Sequence, residues 1–412
     1  MASSRRDISD CVNEFTLAMY RQITADKPAE NIFISPSSVA IVMTMVYVGA
    51  RKQSEEQMAK TLRLTNMKRR YVLRQMERFV EKVEKGSKYI TIKAANSLFP
   101  HSDKRILEEY VLTVKKYFRT DVKPKDFTSE PDKSRLEINT WVEENTNGKI
   151  KNLLPEGALN SRTAMVIVNT IYFKGNWEIP FDSKYTETKD FVKLNGDKVN
   201  VRMMRAKKME DVCYTKNRKL NCKVLKLSYK DRKVGMIIVL PKENDGLPAL
   251  ERKLSLDTLR GLVSGLDLVT ADVSLLKFKL ESSVQLKQLL SALGMVDVFD
   301  MDKADLSGMG NDLFVSEAYH KTFIDVNEEG TEAGAATAAV EESRSLEETY
   351  RFNADHPFLF MIWHYGLDVP LFIGRLLEPS TVAEASFEHK RQGSRTNDVE
   401  EHTKRRRQDW LW

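Results

Sequence analysis

The sequence predicts one α+β domain followed by a tail, and three observations support this fold class. Apolar residues lie on one helical stripe over residues 8–23, so the chain begins with a helix packed on a core. Residues 164–173 are apolar almost without interruption, as in a strand covered on both faces of a sheet. No internal repeat or Gly/Pro-rich linker interrupts the chain before the tail. We therefore predict a single domain over residues 1–379 and a charged, disordered extension over residues 380–412.

Hydrophobic periodicity predicts the elements in chain order. Helices are predicted over residues 8–23, 39–49, 53–85, 104–117 and 136–147, the last ended by Asn147-Gly148. Strands are predicted over residues 31–34, 89–98 and 164–173, with several short strands between 186 and 240. Farther along we predict a helix or helix pair at 246–263, a strand at 273–280, a helix ending at Gly294, and strands at 313–315, 321–326, 350–352, 358–363 and 368–375.

The composition is that of an ordinary soluble globular protein. Of 412 residues, 42% are hydrophobic and 30% are charged, and the net charge of +6 permits a polyanionic partner without requiring one. The chain has no apolar run of about 18 residues, so we predict no membrane span. No apolar segment follows the basic residues at 1–7, so we expect no secretory signal.

The cysteine content bears on the cellular compartment. Cys11, Cys213 and Cys222 have neither the number of a disulfide framework nor the spacing of a metal site. The sequence also lacks an Asn-x-Ser/Thr glycosylation acceptor. Together with the missing signal, these features favour a reducing, cytoplasmic location. Secretion is the alternative hypothesis, and the basic run 404–407 in the tail adds a nuclear location as a third.

The sequence contains no recognisable catalytic constellation. It has no Gly-x-Ser-x-Gly elbow, no phosphate-binding glycine loop, no His-Glu-x-x-His and no zinc-spaced cysteine pair. Two of the six histidines, His389 and His402, lie in the tail. His320 lies inside a predicted strand, where a structural role is favoured over that of a catalytic base. We predict that the protein is not an enzyme and uses no cofactor or metal.

The stretch from Glu328 to Ser345 is unusual for a fixed place in a fold. At a period of two, one face carries only small side chains, those of Thr331, Ala333, Ala335, Thr337 and Ala339. Small residues lose little side-chain entropy on burial, so the segment could enter a sheet or remain outside as a loop. An Ala-rich helix or a linker is the plain alternative. Because predicted strands flank the stretch and Arg344-Ser345 ends it, the pattern is typical of protease bait.

Several motifs together indicate a family resemblance. Glu-Glu-Gly-Thr-Glu-Ala at 328–333, the small residues after it, and Ala-Asp-His-Pro-Phe at 354–358 resemble the reactive loop and following strand of serpins. Further serpin-like strings follow in family order at 31–40, 138–150, 169–177, 293–295 and 304–308. The resemblance covers residues 8–379. It implies a serpin fold of eight or nine helices around three β-sheets, with an exposed reactive-centre loop at about 330–350.

The resemblance also implies roles for individual residues. The loop hinge is assigned to Glu328, Glu329, Gly330, Thr331, Glu332, Ala333, Gly334, Ala335, Ala336 and Thr337. A buried polar latch that holds the main sheet shut is assigned to Ser35, Ser38, Asn169 and His320. Trp177 and Lys277 match the region where the loop enters, Lys277 as the partner of Glu328. In serpins the residue attacked usually lies fourteen positions after the hinge glycine, which assigns Arg344-Ser345 as the reactive bond.

These matches predict a suicide-type inhibitor of trypsin-like serine proteases. The protease would attack Arg344-Ser345 and form an acyl-enzyme, and insertion of the cut loop into the main sheet would trap it. An arginine there fits an acidic specificity pocket, which disfavours elastase-like and chymotrypsin-like targets. Two alternatives stay open: a non-inhibitory serpin that acts as a carrier or chaperone, and a simple protease substrate.

One basic cluster raises the question of a further partner. It comprises Lys68, Arg69, Arg70, Arg74 and Arg78. The plain interpretation is a solvated helix face, and the alternative, by resemblance to some serpins, is a site for a heparin-like polyanion. We predict a monomer with no nucleic-acid and no membrane partner.

Overall fold

The computed structural model describes residues 7–331 and 349–380, and within them it contains nine α-helices and fourteen β-strands. The helices are α1 (Ile8–Asp26), α2 (Pro36–Gly49), α3 (Lys52–Thr61), α4 (Arg69–Glu84), α5 (Glu108–Phe118), α6 (Pro131–Asn145), α7 (Leu247–Arg252), α8 (Leu256–Ser264) and α9 (Leu286–Ala292). Of these described helices, none is long and apolar enough to cross a membrane. The strands are β1 (Ile32–Ile34), β2 (Ile90–Pro100), β3 (Met165–Asn176), β4 (Glu187–Val192), β5 (Lys198–Asn217), β6 (Cys222–Ser228), β7 (Val234–Pro241), β8 (Asp267–Leu276), β9 (Phe278–Gln285), β10 (Glu317–Asn327), β11 (Gly330–Thr331), β12 (Tyr350–Ala354), β13 (Phe358–His364) and β14 (Val369–Leu376).

The five-stranded sheet, with strand order β2-β3-β11-β10-β9, positions the candidate site. Its central strands β3 and β10 run parallel and pair over seven residues, from Val166 with Glu317 to Tyr172 with Phe323. At one end the short strand β11 lies between them, antiparallel to both. We call this junction of β3 and β10, including β11, the seam. The seam is therefore closed over seven residue pairs and opened at one end by two residues of the predicted hinge.

The nine-stranded sheet has the order β1-β14-β13-β7-β6-β5-β8-β12, and β4 pairs with β5 beside this path. Strand β5 is 20 residues long, and its pairing with β8 shifts register on either side of Met209. Irregularities of this kind bend a strand. Strands β4 and β6 pair with opposite ends of β5. The described residues thus form two hydrogen-bonded sheets where three were predicted, and β12 forms an edge of the larger one.

Helix α2 lies between the two sheets, against β14 of one and β3 of the other. Every residue of α2 is buried, which suits a sequence that is apolar nearly all round. Pro36 occupies its first turn, and the Ser35 hydroxyl caps that turn by accepting from the Ser38 backbone N–H at 3.4 Å. The predicted strand, proline and buried helix of residues 31–49 are confirmed, and they bring Ser35 and Ser38 to the seam.

Helix α6 covers the other face of the five-stranded sheet. Its Ile138 and Val142 pack in a second hydrophobic cluster with Val166, Val168 and Tyr319 of the seam strands. Because successive strand residues point to opposite faces, the neighbours of these seam residues face α2 instead. The seam is therefore covered on both sides.

Two predicted elements are each divided in the structure. The prediction of one continuous helix over 53–85 is wrong, because α3 and α4 are separated by a segment in which Arg63 and Asn66 have φ values of 63° and 69°. A left-handed backbone of this kind ends a helix. The single strand over 273–280 is also wrong, since β8 and β9 meet at Lys277 and belong to different sheets. Residues 313–315 form no strand.

Candidate functional site at the seam of the five-stranded sheet

The predicted hinge begins inside the sheet. Glu328 and Glu329 form the turn after β10, and Gly330 and Thr331 then form β11. Gly330 has φ of 153°, and a Cβ atom placed on it would lie 2.0 Å from the carbonyl oxygen of Gly175. Only glycine fits so close an approach of two backbones. These four hinge residues lie at the open end of the seam.

At the middle of the seam the structure brings Ser35, Ser38, Asn169 and His320 into one buried cluster, each at most 1% exposed. His320 Nε2 accepts from the Ser35 backbone N–H at 3.0 Å, so Nδ1 carries the proton and donates to Asn169 Oδ1 at 2.5 Å. Asn169 Nδ2 lies 2.7 Å from Ser38 Oγ and 2.6 Å from Asn96 Oδ1, and donates to both. We call these five residues the latch cluster.

The latch cluster connects strands that must separate if the seam opens. Asn169 on β3 and His320 on β10 are register partners across the seam. Asn96 lies opposite Asn169 on the next strand, β2, and the serines lie at the start of α2. Opening the seam here breaks the bond between Asn169 and His320. Each buried hydrogen bond lost costs about 1 kcal/mol, and more where a polar group stays unsatisfied.

Burial fixes the charge of His320. Desolvation lowers the pKa of its ring from 6.5 to about 4, although the hydrogen bond with the Asn169 backbone favours the charged form. The imidazole is therefore neutral at neutral pH, in agreement with the tautomer that its hydrogen bonds require. Protonation of Nε2 would set a donor against the Ser35 backbone N–H, which is itself a donor.

An aromatic pair holds the open end of the seam. The rings of Trp177 and Tyr229 stack with centroids 4.6 Å apart and an interplanar angle of 12°. Trp177 Nε1 donates to the carbonyl oxygen of Asn327 at 3.0 Å, and the Trp177 backbone N–H donates to the carbonyl oxygen of Glu329 at 2.9 Å. The Tyr229 hydroxyl lies 2.7 Å from Thr331 Oγ1. Trp177 and Tyr229 thus hold both the turn after β10 and strand β11 in place.

A carboxylate ties the hinge to neighbouring strands. Glu328 Oε2 lies 2.8 Å from Lys277 Nζ, and Oε1 accepts from Thr186 Oγ1 at 2.8 Å. The side chain of Glu328 is 13% exposed and that of Lys277 is 40% exposed. Burial raises the pKa of Glu328, but the contacts with Lys277 and Thr186 outweigh it and hold this pKa below its ordinary value. We call Trp177, Tyr229, Lys277 and Glu328 the entry cluster.

Comparison with known proteins identifies the fold around this site. The family model for serpins, serine protease inhibitors, matches residues 10–379. The chain belongs to the serpin family. The resemblance predicted from the sequence is therefore confirmed, and so is the α+β serpin fold.

Individual serpins agree with this assignment over nearly the whole chain. A leukocyte elastase inhibitor of Xenopus tropicalis is 38% identical over 379 residues, which cover 90% of this chain and 100% of that protein. Uncleaved ovalbumin has a TM-score of 0.82 at 30% identity and covers 91% of this chain and 100% of its own. A thyroxine-binding globulin in complex with thyroxine has a TM-score of 0.82 at 29% identity and covers 90% of this chain and 99% of its own.

Part of the predicted site of this serpin lies outside the described residues. This part comprises the later hinge residues Glu332, Ala333, Gly334, Ala335, Ala336 and Thr337, and the reactive bond Arg344-Ser345. The tail from residue 381 onward also lies outside them. The roles given to these residues stay predictions.

Two residues of the clusters escaped the sequence analysis. Asn96 offered a weak signal, because asparagine is uncommon in strands such as β2. Tyr229 follows β6 and offered none, since an aromatic residue beside a strand is ordinary. Both belong to the site through contacts between distant parts of the chain, Asn96 with Asn169 and Tyr229 with Thr331.

The basic cluster of this serpin is narrower than the sequence suggested. Arg69, the first residue of α4, lies 2.7 Å from Glu55 and stacks over Tyr47, so it is committed to the fold. The remaining cations of the cluster are exposed: Lys68, Arg70, Arg74 and Arg78. The last three repeat every four residues and therefore share one side of α4.

Proposed function

We propose that this serpin is a suicide-type inhibitor of trypsin-like serine proteases, attacked at Arg344-Ser345. The catalytic serine of the protease would add to the carbonyl carbon of Arg344, and the amine of Ser345 would leave. An ester would then join the protease to Arg344. The freed loop would continue β11 along the seam and carry the protease with it before water reaches the ester.

The observation that carries this proposal is the state of the seam. Strand β11 is antiparallel to both β3 and β10, so a longer β11 would replace one parallel ladder with two antiparallel ladders. Antiparallel pairing is slightly more stable per residue than parallel pairing. The geometry therefore supports a native state that lies above a more stable, loop-inserted state, with the latch cluster across the path of insertion.

The side chains of the hinge support the same conclusion. Thr331 is fully buried, with its hydroxyl against Tyr229. At a period of two, the residues that would follow Thr331 onto its face are Ala333, Ala335, Thr337 and Ala339. None of these is bulky or charged, so the inserted strand would bury them at little steric cost.

The residue at position 344 supports a trypsin-like target. A planar guanidinium pairs with a carboxylate through two hydrogen bonds, which is the recognition that an acidic specificity pocket provides. The Xenopus tropicalis relative is named for leukocyte elastase, but Arg344 in this chain disfavours an elastase-type pocket.

The decisive test is to mix the purified protein with trypsin and analyse the products on a denaturing gel. We expect a band at the summed mass that is lost in Arg344→Ala and kept in the control Arg78→Ala, which changes an exposed arginine on α4. Thr337→Glu separates cleavage from trapping, because a charged side chain on the inserting face should block insertion and, unlike an arginine, adds no new site for trypsin. This variant should be cut after Arg344 and form no stable band.

Other results would indicate a different function or a different reactive bond. Clean cleavage of the unaltered chain without a stable band would mean a protease substrate or a non-inhibitory carrier, as the thyroxine complex of a protein with this fold illustrates. A stable band that persists in Arg344→Ala would move the reactive bond elsewhere in the loop.

The exposed cations of α4 support a second, weaker proposal, a site for a heparin-like polyanion. Glu81 and Glu84, the acids farther along this helix, contact Arg119 at 3.9 and 3.4 Å, so they are partly neutralised. The triple variant of Arg70, Arg74 and Arg78 to alanine should elute from heparin at lower salt than the parent. Equal elution would leave the solvated helix face as the interpretation.

We further propose a monomer whose single domain spans residues 1–379, in the cytoplasm, with residues 380–412 as a dispensable tail. The domain proposal predicts that removal of residues 380–412 leaves the thermal unfolding midpoint unchanged. The location is tested by imaging fluorescent fusions with and without the tail. Nuclear signal that depends on residues 404–407 would favour the nuclear hypothesis, and recovery from the medium would favour secretion.

A further inference from the structure

A cleft of about 790 Å³ lies on the nine-stranded sheet, away from the seam. Residues of β4, β5, β8 and β12 line it, and the function proposed above makes no use of it. Its four cations are Lys189, Arg205, Lys207 and Arg351. Strand β12, which forms one wall, is the first strand after the predicted loop.

The acids of the cleft are each engaged by other groups of the fold. Asp190 lies 3.3 Å from Lys198 Nζ. Asp272 accepts from the backbone N–H of Lys208 at 3.0 Å. Asp355 Oδ1 lies 2.8 Å from His356 Nδ1. These carboxylates are therefore committed within the fold.

Two of the four cations are paired and two are not. Arg205 lies 2.5 Å from Glu187, and Lys189 contacts the same carboxylate at 3.6 Å. In residues 7–331 and 349–380, by contrast, the exposed side chains of Lys207 and Arg351 form no ion pair. The cleft thus presents two exposed positive groups on a surface whose other charges are mostly matched.

Distance along the chain puts the cleft beside any protease bound to the loop. Arg351 follows Arg344 by seven residues, a separation of at most about 25 Å even in a fully extended chain. A protease of about 230 residues has a radius of gyration of about 17 Å, so its surface reaches far beyond the bond that it attacks. A protease seated on Arg344 would therefore extend over the sheet around β12.

We propose that this cleft is a second docking site for the target protease, in which Lys207 and Arg351 receive an acidic surface loop of the enzyme. The proposal rests on the proposed function, since it concerns the same protease. It adds a basis for selection among proteases that share a preference for arginine. Charges at the edge of such a contact mainly change the association rate and its salt dependence.

The composition of the cleft favours a protein loop over a polyanion. Asp190, Asp272 and Asp355 line the same cleft as the cations and would repel a uniformly anionic polymer. A protein loop carries donors and acceptors that can match both signs. The exposed cations on one side of α4 offer the more uniform positive surface.

The test uses two trypsins that share arginine specificity and differ in surface charge, one anionic and one cationic. The association rate constant is measured for the parent chain, for Lys207→Glu with Arg351→Glu, and for the control Arg252→Glu with Lys253→Glu. The control makes the same charge change at the end of α7, whose Glu251 contacts Arg375 of β14, six strands from β12. We expect the cleft variant to associate with anionic trypsin about tenfold more slowly at 0.05 M NaCl, and the loss to shrink at 0.5 M. With cationic trypsin the loss should be smaller, and an equal loss with both trypsins would count against an acidic loop as the partner. The control should stay within about twofold of the parent.

The outcomes separate this proposal from the proposed function. Anionic trypsin whose catalytic serine is replaced by alanine still binds without cutting, so its Kd reports docking even if no covalent complex ever forms. The docking site is supported if this inactive trypsin binds the cleft variant more weakly than it binds the parent and the control variant. Equal rates and equal Kd values for parent and cleft variant would overturn it. A change seen only when heparin is present would overturn it in favour of a polyanion site.

Discussion

The latch cluster and the entry cluster lie on the same seam and hold it by different means. The latch is uncharged and, apart from the half-buried Asn96, at most 1% exposed, and its bonds join β3 directly to β10 through Asn169 and His320. The entry cluster contains a charged pair at the margin of solvent, Lys277 with Glu328, and an aromatic pair that holds β11 between the strands. One cluster keeps the seam closed, and the other keeps its end open by two residues.

The difference assigns different energetic tasks to the two clusters. A network of neutral groups in a dry interior is stiff when complete and costly when one member is lost. A partly exposed ion pair is screened by solvent and contributes little. We therefore expect the barrier to loop insertion to depend mainly on the latch, and the position of the hinge to depend on the entry cluster.

The largest effect is expected from Asn169→Ala. The substitution removes hydrogen bonds to His320, Ser38 and Asn96, and it leaves buried groups without partners. We expect the free energy of unfolding to fall by about 3 kcal/mol, at about 1 kcal/mol for each bond. Urea unfolding measures the loss, and native gels after warming measure conversion to a loop-inserted form.

The matched control for that prediction is Asn145→Ala. Its amide donates a single hydrogen bond, to the Trp141 carbonyl oxygen at 2.7 Å, and the residue is exposed on α6. A loss within about 0.5 kcal/mol is expected there. Similar losses in both variants would show that the latch hydrogen bonds stabilise the fold no more than an exposed hydrogen bond does.

A smaller effect of the same origin is expected from pH. The pKa of His320 is about 4 in the folded chain and about 6.5 in the unfolded chain, so below pH 6.5 only the unfolded chain takes up the proton. Stability from this group is complete above pH 6.5 and falls as the pH approaches 4. Between pH 7.5 and pH 5 the expected loss is about 2 kcal/mol.

Urea unfolding at pH 7.5 and pH 5 measures this loss, with His320→Gln as the comparison. The variant has no imidazole to protonate, so it should lose about 2 kcal/mol less than the parent over the same interval. Parallel pH dependence in the two proteins would mean that the pKa of His320 does not differ between the folded and the unfolded chain.

The latch cluster shows how far the site can be predicted from the sequence. Ser35 and Ser38 are ordinary residues in the local pattern, and only resemblance to a family grouped them with His320 as a latch. The structure adds that His320 lies opposite Asn169 in the register of two parallel strands that are far apart in the chain. Local periodicity indicates which face of a sheet a residue occupies, but it does not identify the partner strand.

The errors in the predicted elements have the same cause. Residues 273–280 alternate like one strand, but Lys277 is the point where the chain leaves one sheet for the other. Arg69 reads as one more surface cation, but in the structure it contacts Glu55 of α3, fourteen residues earlier in the chain. Periodicity predicts which residues are buried, whereas partners are decided by tertiary packing.

A third prediction concerns the aromatic pair of the entry cluster. Tyr229→Phe keeps the stack on Trp177 and removes the hydroxyl that contacts Thr331, so we expect a loss of about 1 kcal/mol. Tyr214→Phe is the matched control, because the Tyr214 hydroxyl is buried and has no partner in the part of the chain that the structure describes. Removing an unpaired buried hydroxyl should be neutral or stabilising. Equal losses by urea unfolding would mean that the hydroxyl does not hold β11 in place.

The smallest effect is expected from the ion pair, with Lys277→Met. The side chain of Lys277 is 40% exposed, so solvent screens its attraction to Glu328 and the expected loss is about 0.5 kcal/mol in dilute buffer. Glu328 keeps its hydrogen bond from Thr186, which limits the cost further.

Lys279→Met is the control, since Lys279 lies 3.1 Å from Asp325 but is 60% exposed and outside the hinge. Urea unfolding at 0.05 M and 1 M NaCl should show the difference between the two variants vanish at high salt. A loss from Lys277→Met that exceeds the loss from Asn169→Ala would reverse the comparison, because the charged end of the seam would then hold the fold more firmly than its neutral middle.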